Sequence, residues 1–337
     1  MQVALAYKNF AANRAISHIG LGVTALNTAK TLRSHGIDAD VWPIVSPAEL
    51  GTRLRANQPT ATPTHVVISA PWIQTHELAL LCAEFKDTQF AVTCHSNLGF
   101  LQADPSAMRL VREGLDLQRT TWNFHMAANC DRLSDWVYTA YGIPCTHLPN
   151  IYHLDSANPK RERYAGGTLR IGAFGATRVL KNLLTSAGAA LEIANAKRAD
   201  LEFWVSSGRN EGAGAVVDAV RQMFNGLHHV RLIENGWQTW PQFRQTVRHM
   251  HLLLQPSYTE SFNVVTADGV AEGVPSVVSD AIEWAPGRWK AAVDDAHAIA
   301  RAGLRLLESR WAPRQGRAAL KAHNRKALAA WRSFLEL

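Results

Sequence analysis

The sequence predicts an α/β protein with parallel sheets, divided into two domains. Short apolar runs recur from residues 3–7 to residues 274–279, each separated from the next by a helix-length stretch, which is the spacing of βαβ units. At 337 residues, 47% hydrophobic and 19% charged, the chain has room for two domains of ordinary size, each with its own core. Residues 251–279 also lay out one complete β-loop-α-β unit. Leu252 to Leu254 stop at Gln255-Pro256-Ser257, Phe262, Val265 and Val270 follow at helical spacing, and Val274-Pro275-Ser276-Val277-Val278-Ser279 reads as a buried strand.

In chain order, residues 3–7 form a first strand, residues 8–20 a long loop and residues 21–35 a helix closed by Gly36 as its C-cap. Strands follow at 41–44, 66–70 and 90–94. Gly20 and Gly22 stand where the first loop meets its helix, a place where backbone can approach a phosphate or sugar closely, although a Gly-x-Gly by itself also fits an ordinary loop. His95 ends the strand at 90–94 and so faces the ligand crevice of an open sheet. As one of 14 histidines, it reads by itself more readily as a structural residue. Asp104 closes the loop that follows. Strands at 126–129 and 146–150 complete the first domain, and Pro159 with Gly166-Gly167 gives residues 151–167 the composition of a linker. The second domain opens with a strand at 169–175 and a turn carrying Arg178 and Lys181, two cations that can hold a pyrophosphate, although two basic residues in a turn are by themselves more often just solvated. Strands at 201–205 and 230–237 follow, the first of them leading into the loop 206–209.

The loop of the 251–279 unit suits a phosphorylated ligand. The N–H groups of Ser261, Phe262 and Asn263 are expected at a helix N-terminus, unpaired and at the positive end of its dipole. Glu260 and Asp268, eight positions apart, are two carboxylates that can face a sugar from different heights. On spacing alone the plainer reading is a helix cap and a solvated helix residue.

Pro256-Ser257, Glu260-Ser261-Phe262, Ala271-Glu272-Gly273-Val274-Pro275 and Val277-Val278-Ser279 together resemble the donor signature of glycosyltransferase family 4, a group of retaining GT-B enzymes. The chain departs from it at Asp268, where the family has Glu. Thr93-Cys94-His95 is similar to the family's Thr-x-His, Lys181-Asn182 to its Lys-Gly, and 146–150 to its strand ending in Pro-Asn; Arg178 lies three positions before the Lys rather than five. The resemblance implies two Rossmann-like domains facing across a cleft: 1–155 for the acceptor, 165–315 for the donor, and a terminal helix, 316–337, crossing back. It makes His95, Glu260 and Lys181 catalytic. It gives Gly20, Gly22, Arg178, Lys181, Ser261, Phe262, Asn263 and Asp268 to the donor, sets the loop 206–209 beside the nucleotide and the loop ending 230–237 beside its base, and gives Asp104 to the acceptor. A nucleotide sugar, UDP-sugar first, is then a co-substrate rather than a cofactor. No metal is implied, because no Asp-x-Asp like that of metal-dependent transferases is expected and Lys181 with the helix N-terminus supplies the positive field.

The formal charge of +7 sits at one end: residues 301–337 hold 9 basic and 2 acidic side chains, while the rest of the chain is balanced. Arg317, Lys321 and Arg325 alternate with Leu320, Leu328 and Trp331 as in basic amphipathic helices, whose polar face meets solvent or an anionic surface such as nucleic acid or lipid. This leaves open a DNA-modifying glucosyltransferase acting on a hydroxymethylated base, and, as a third reading, a non-catalytic nucleotide-sugar binding module. No apolar stretch approaches the roughly 20 residues that span a bilayer, and the first 20 residues lack a signal-peptide core, so a cytoplasmic location is expected. Cys82, Cys94, Cys130 and Cys145 form no Cys-x-x-Cys pair and read as reduced, buried thiols.

Overall fold

The computed structural model describes residues 2–9, 19–57, 62–155, 162–207 and 214–337; His18, Gly208 and Arg209 of the expected loops lie outside the described residues. The chain divides into two compact units, one made of the described residues up to His153 together with His323–Leu337, the other of those within Leu154–Ala322.

The first unit runs β1 (Gln2–Lys8), α1 (Ile19–Ser34), β2 (Asp38–Ile44), α2 (Pro47–Ala56), β3 (His65–Ser69), α3 (Thr75–Glu84), β4 (Gln89–Cys94), α4 (Leu98–Leu101), α5 (Pro105–Thr120), β5 (Phe124–Ala128), α6 (Asp131–Tyr141) and β6 (Thr146–His147). Its six strands are parallel in the order β2-β1-β3-β4-β5-β6. A strand buried on both faces reads as a continuous apolar run, and His65–Ser69 is buried at every position. One core lies between the sheet and α2, α3, α5 and α6, around Phe90, Leu115, Phe124 and Met126; the other lies under α1, around Leu5, Ala29, Leu32 and Val67.

The second unit runs β7 (Leu169–Ala173), a 3-10 turn (Val179–Lys181), α7 (Leu183–Lys197), β8 (Leu201–Ser206), α8 (Gly214–Phe224), β9 (Val230–Asn235), α9 (Trp240–Arg248), β10 (Leu252–Gln255), α10 (Val264–Glu272), β11 (Ser276–Val278), α11 (Ala296–Glu308) and the first part of α12 (Ala312–Phe334), whose residues from His323 on belong to the first unit. The parallel order is β11-β10-β7-β8-β9. The chain leaves β7 in one direction for β8 and β9, then returns to the other side of β7 for β10 and β11. The loops after β7 and β10 therefore diverge at a topological switch point, the place where open α/β sheets bind ligands.

The end of α12 is held on the first unit. Ala327, Trp331 and Leu335 pack into its second core, the Trp331 indole donates to the Pro149 carbonyl at 2.9 Å, and the Asn324 amide donates to the Tyr152 carbonyl at 2.6 Å. The basic stripe is interrupted. Arg317 is buried and donates to the Asp155 carbonyl, so it is no part of a solvated cationic face, whereas Lys321 and Arg325 are exposed. Cys82, Cys94 and Cys130 are buried and Cys145 partly so, each outside any disulfide; burial pushes Cys82, Cys94 and Cys145 up to about 12. No helix among the described residues is long and apolar enough to cross a membrane.

Candidate active site

The loops after β7 and β10 bring together the charged residues expected of a donor site. The chain after β7 turns through Gly175, whose φ of +119° only glycine adopts without strain, and then enters the 3-10 turn that ends at Lys181. A Cβ on Gly175 would stand 3.7 Å from the Lys181 side chain, so the lysine folds back across this glycine. Asn182, in the left-handed region at φ 60°, sends its amide to the Pro256 carbonyl at 3.1 Å and to the Val293 carbonyl, which fixes the turn against the end of β10. The Tyr258 N–H donates to the Leu180 carbonyl at 3.0 Å and ties the two loops a second time.

Across that seam Lys181 forms an ion pair with Glu260. Both are mostly shielded, with side chains 22% and 11% exposed, so water screens the pair only partly. Asn263 donates to the same Glu260 oxygen at 2.9 Å and to the Gln255 side chain at 3.2 Å. Arg178 is half-buried in the same turn. Burial pulls its pKa below the usual range, and the charge of Glu260 acts in the opposite direction, which places the two within electrostatic reach. Two cations thus meet one carboxylate in a sheltered place, an excess of one positive charge suited to an anion.

The helix begins later than the sequence suggests. Asn263, at φ 65°, is the N-cap of α10, and its side-chain oxygen accepts from the Thr266 N–H at 2.8 Å. Ser261 and Phe262 lie before the cap, not in the first turn. Glu260 is not the cap, so that reading of it falls. Phe262 is buried, its carbonyl accepting from the Trp284 indole at 2.6 Å. Asp268 is 1% exposed, which removes its reading as a solvated residue; its carboxylate accepts from the Trp240 indole of α9 at 2.9 Å. One turn on, the buried Glu272 is held by Arg244 and Arg248 of α9, with Nε–oxygen distances of 2.7 Å for both. Gly269 lets α10 press on β10, since a Cβ there would stand 2.7 Å from Leu253 Cδ1 and 3.0 Å from the Val274 carbonyl. Trp240, Arg244 and Arg248 were not singled out by the sequence. The four-residue interval between the two arginines was their only signal.

On the first unit, His95 follows β4 directly, with Nδ1 3.4 Å from the Asn129 amide nitrogen. Burial lowers its pKa to about 4, so at neutral pH it is an uncharged imidazole. Gly20 and Gly22 fall inside the first turn of α1 rather than in a loop. Gly22 is a close approach, because a Cβ would come within 3.2 Å of the Tyr7 ring, while Gly20 has open space around it. Asp104 is the N-cap of α5 and accepts from the Ala107 N–H at 3.0 Å. No group of three or more metal-ligating side chains occurs among the described residues. Asp38-Ala39-Asp40 has the Asp-x-Asp spacing of some metal-dependent transferases. It opens the edge strand β2, with both carboxylates exposed, at the opposite end of the strands from the ligand-binding loops.

The architecture is that of the GT-B glycosyltransferases. A trehalose-phosphate synthase of the UDP-forming type from Burkholderia vietnamiensis is similar at 12% identity, with a TM-score of 0.61 over 99% of this chain and 96% of that one. Sucrose-phosphate synthase from Thermosynechococcus elongatus is similar at 13% identity, with a TM-score of 0.59 over 98% and 95%. TarM of S. aureus, solved with fondaparinux, α-GlcNAc-glycerol and UDP, is similar at 12% identity and a TM-score of 0.59; 79% of this chain is covered, and it spans 54% of the TarM chain. No family model and no curated protein matches the sequence. At these identities the likeness establishes the GT-B fold and does not single out family 4 within it.

Proposed function

We propose that the chain is a retaining glycosyltransferase that transfers a sugar from a UDP-sugar to an acceptor hydroxyl. The observation that carries this is the convergence of Lys181, Arg178 and Glu260 at the switch point of the second sheet. In this reading the donor diphosphate takes Glu260's place as the partner of Lys181. The released carboxylate, still held by the Asn263 amide, then accepts from sugar hydroxyls. Lys181 and Arg178 balance the charge that grows on the diphosphate as it leaves, with the N–H groups at the start of α10 behind them. The sugar passes through an oxocarbenium-like transition state, and the positive field of the two cations is enough without a metal.

Asp268 replaces the longer Glu of family 4, and we assign it to the ribose side, oriented by Trp240. His95, neutral at working pH, serves as a hydrogen-bonding partner of a sugar hydroxyl rather than as a cation. The fold similarities support a nucleotide sugar as donor: the Burkholderia vietnamiensis synthase is described as UDP-forming, and TarM was solved with UDP. Neither the fold nor these similarities favours DNA as the acceptor.

Thermal unfolding with UDP, GDP and ADP, alone and as their glucose conjugates, tests the donor site. A ligand at about 100 times its Kd adds about 2.7 kcal/mol to stability. UDP and UDP-glucose should raise Tm in the native protein, and Lys181→Ala should abolish most of the rise. No shift with any nucleotide would refute the reading.

A further inference from the structure

The second unit carries another cavity, of about 580 Å3, outside the Lys181–Glu260 cluster. It lies along the face of the sheet that α9 covers incompletely. Along β8 the alternation is strict: Leu201, Phe203 and Val205 are buried, and Phe203 meets Phe224 of α8 edge-on, while Glu202, Trp204 and Ser206 occupy the other face and stay half-exposed. Phe243 and Val247 of α9, with Met250 just beyond it, pack inward against Phe174, Leu253 and Val274. Gln242, Gln245 and His249, three and four positions apart, form a polar stripe that lines the cavity with Trp204, Trp237 and Gln238.

We infer that this groove binds a neutral oligosaccharide. Its volume is within the range of ligand pockets, roughly 300–1,000 Å3. Its lining joins two indoles to three side-chain amides. Indole faces pack against the C–H faces of sugar rings, and an amide both donates and accepts, as vicinal hydroxyls require. The amide of Gln245 makes no hydrogen bond among the described residues and is available to a ligand. Charge argues against an anionic ligand, because the arginine of the groove, Arg170, is already bonded to Glu162 at 2.8 Å and to the His249 carbonyl at 2.7 Å. The groove runs the length of the strands, from Trp237 beyond the carboxyl end of β9 to His249 before the start of β10, about 20 Å for six residues. That length fits a chain of rings rather than a monosaccharide.

The groove stands without the transferase reading, so its test reads glycan binding directly and uses the nucleotide sugar only as a competitor. Maltohexaose, cellohexaose and chitohexaose are titrated into the full chain, with glucose as control, following tryptophan fluorescence and heat. At least one hexasaccharide should bind, and glucose at least tenfold more weakly. Trp237→Ala and Gln245→Ala, both at exposed positions, should each weaken binding about tenfold with Tm unchanged, because each removes one stacking or bonding contact. Lys181→Ala should bind the glycan as the native protein does, and UDP-glucose should not displace it. The inference is overturned if none of the three glycans binds, if both groove variants bind normally, or if UDP-glucose competes.

Discussion

Replacing His95 by Gln should make the first unit less sensitive to acid. The ordinary pKa of histidine is about 6.5, and burial holds His95 at about 4 in the folded protein, so the unfolded chain takes up a proton across that interval that the native state refuses. The sign is therefore definite: this histidine costs nothing above about pH 6.5, and stability falls as pH drops from there towards 4. The full difference corresponds to about 3 kcal/mol, of which about 2–3 kcal/mol is lost between pH 7 and pH 4.5. His65, His125 and His323 are also lowered by burial and add to the acid sensitivity, but they do so in both proteins. Urea unfolding at pH 7 and pH 4.5 gives the comparison. The native protein should lose about 2 kcal/mol more than His95→Gln. Equal losses in the two proteins, or a His95 imidazole that titrates above pH 6 by NMR, would refute the neutral assignment on which its proposed role rests.

The clamp between α9 and α10 should respond asymmetrically. Replacing both Arg244 and Arg248 by Ala strands the buried Glu272 and should cost about 3–5 kcal/mol; Glu272→Ala leaves two partly exposed guanidiniums that water can solvate, and should cost less by denaturant unfolding. Asn263→Ala removes the α10 cap at a positive φ and should lower stability by about 1–3 kcal/mol, together with turnover, since Glu260 loses a donor; equal Tm and rate would deny both roles. Gly269→Ala forces a methyl against Leu253 and the Val274 carbonyl and should cost about 1–3 kcal/mol in the same unfolding assay.

What the sequence discloses depends on how local the cause is. Every strand placed from an apolar run is present, because the run and its flanking turn lie within a few residues of each other. Lys181 and Glu260 were singled out by the family resemblance rather than by their own spacing, and their contact joins positions 79 apart. Pairings without a local pattern were hidden: Trp240 with Asp268 and Arg244 with Glu272 are each 28 positions apart. The start of α10 was misplaced because Asn263 adopts a left-handed conformation that no spacing rule encodes. Arg317 was misread for a different reason. A basic periodicity shows that a stripe exists but not which arginine turns inward, and Arg317 is the one that bonds a carbonyl.

The most direct test of the central claim is the rate of UDP release from UDP-glucose by Glu260→Ala beside the native protein, with circular dichroism to establish folding. If Glu260 accepts hydrogen bonds that strengthen as charge develops on the sugar, turnover should fall by about two or more powers of ten while the spectrum is unchanged. A folded Glu260→Ala protein that releases UDP at the native rate would contradict the assignment of the donor site.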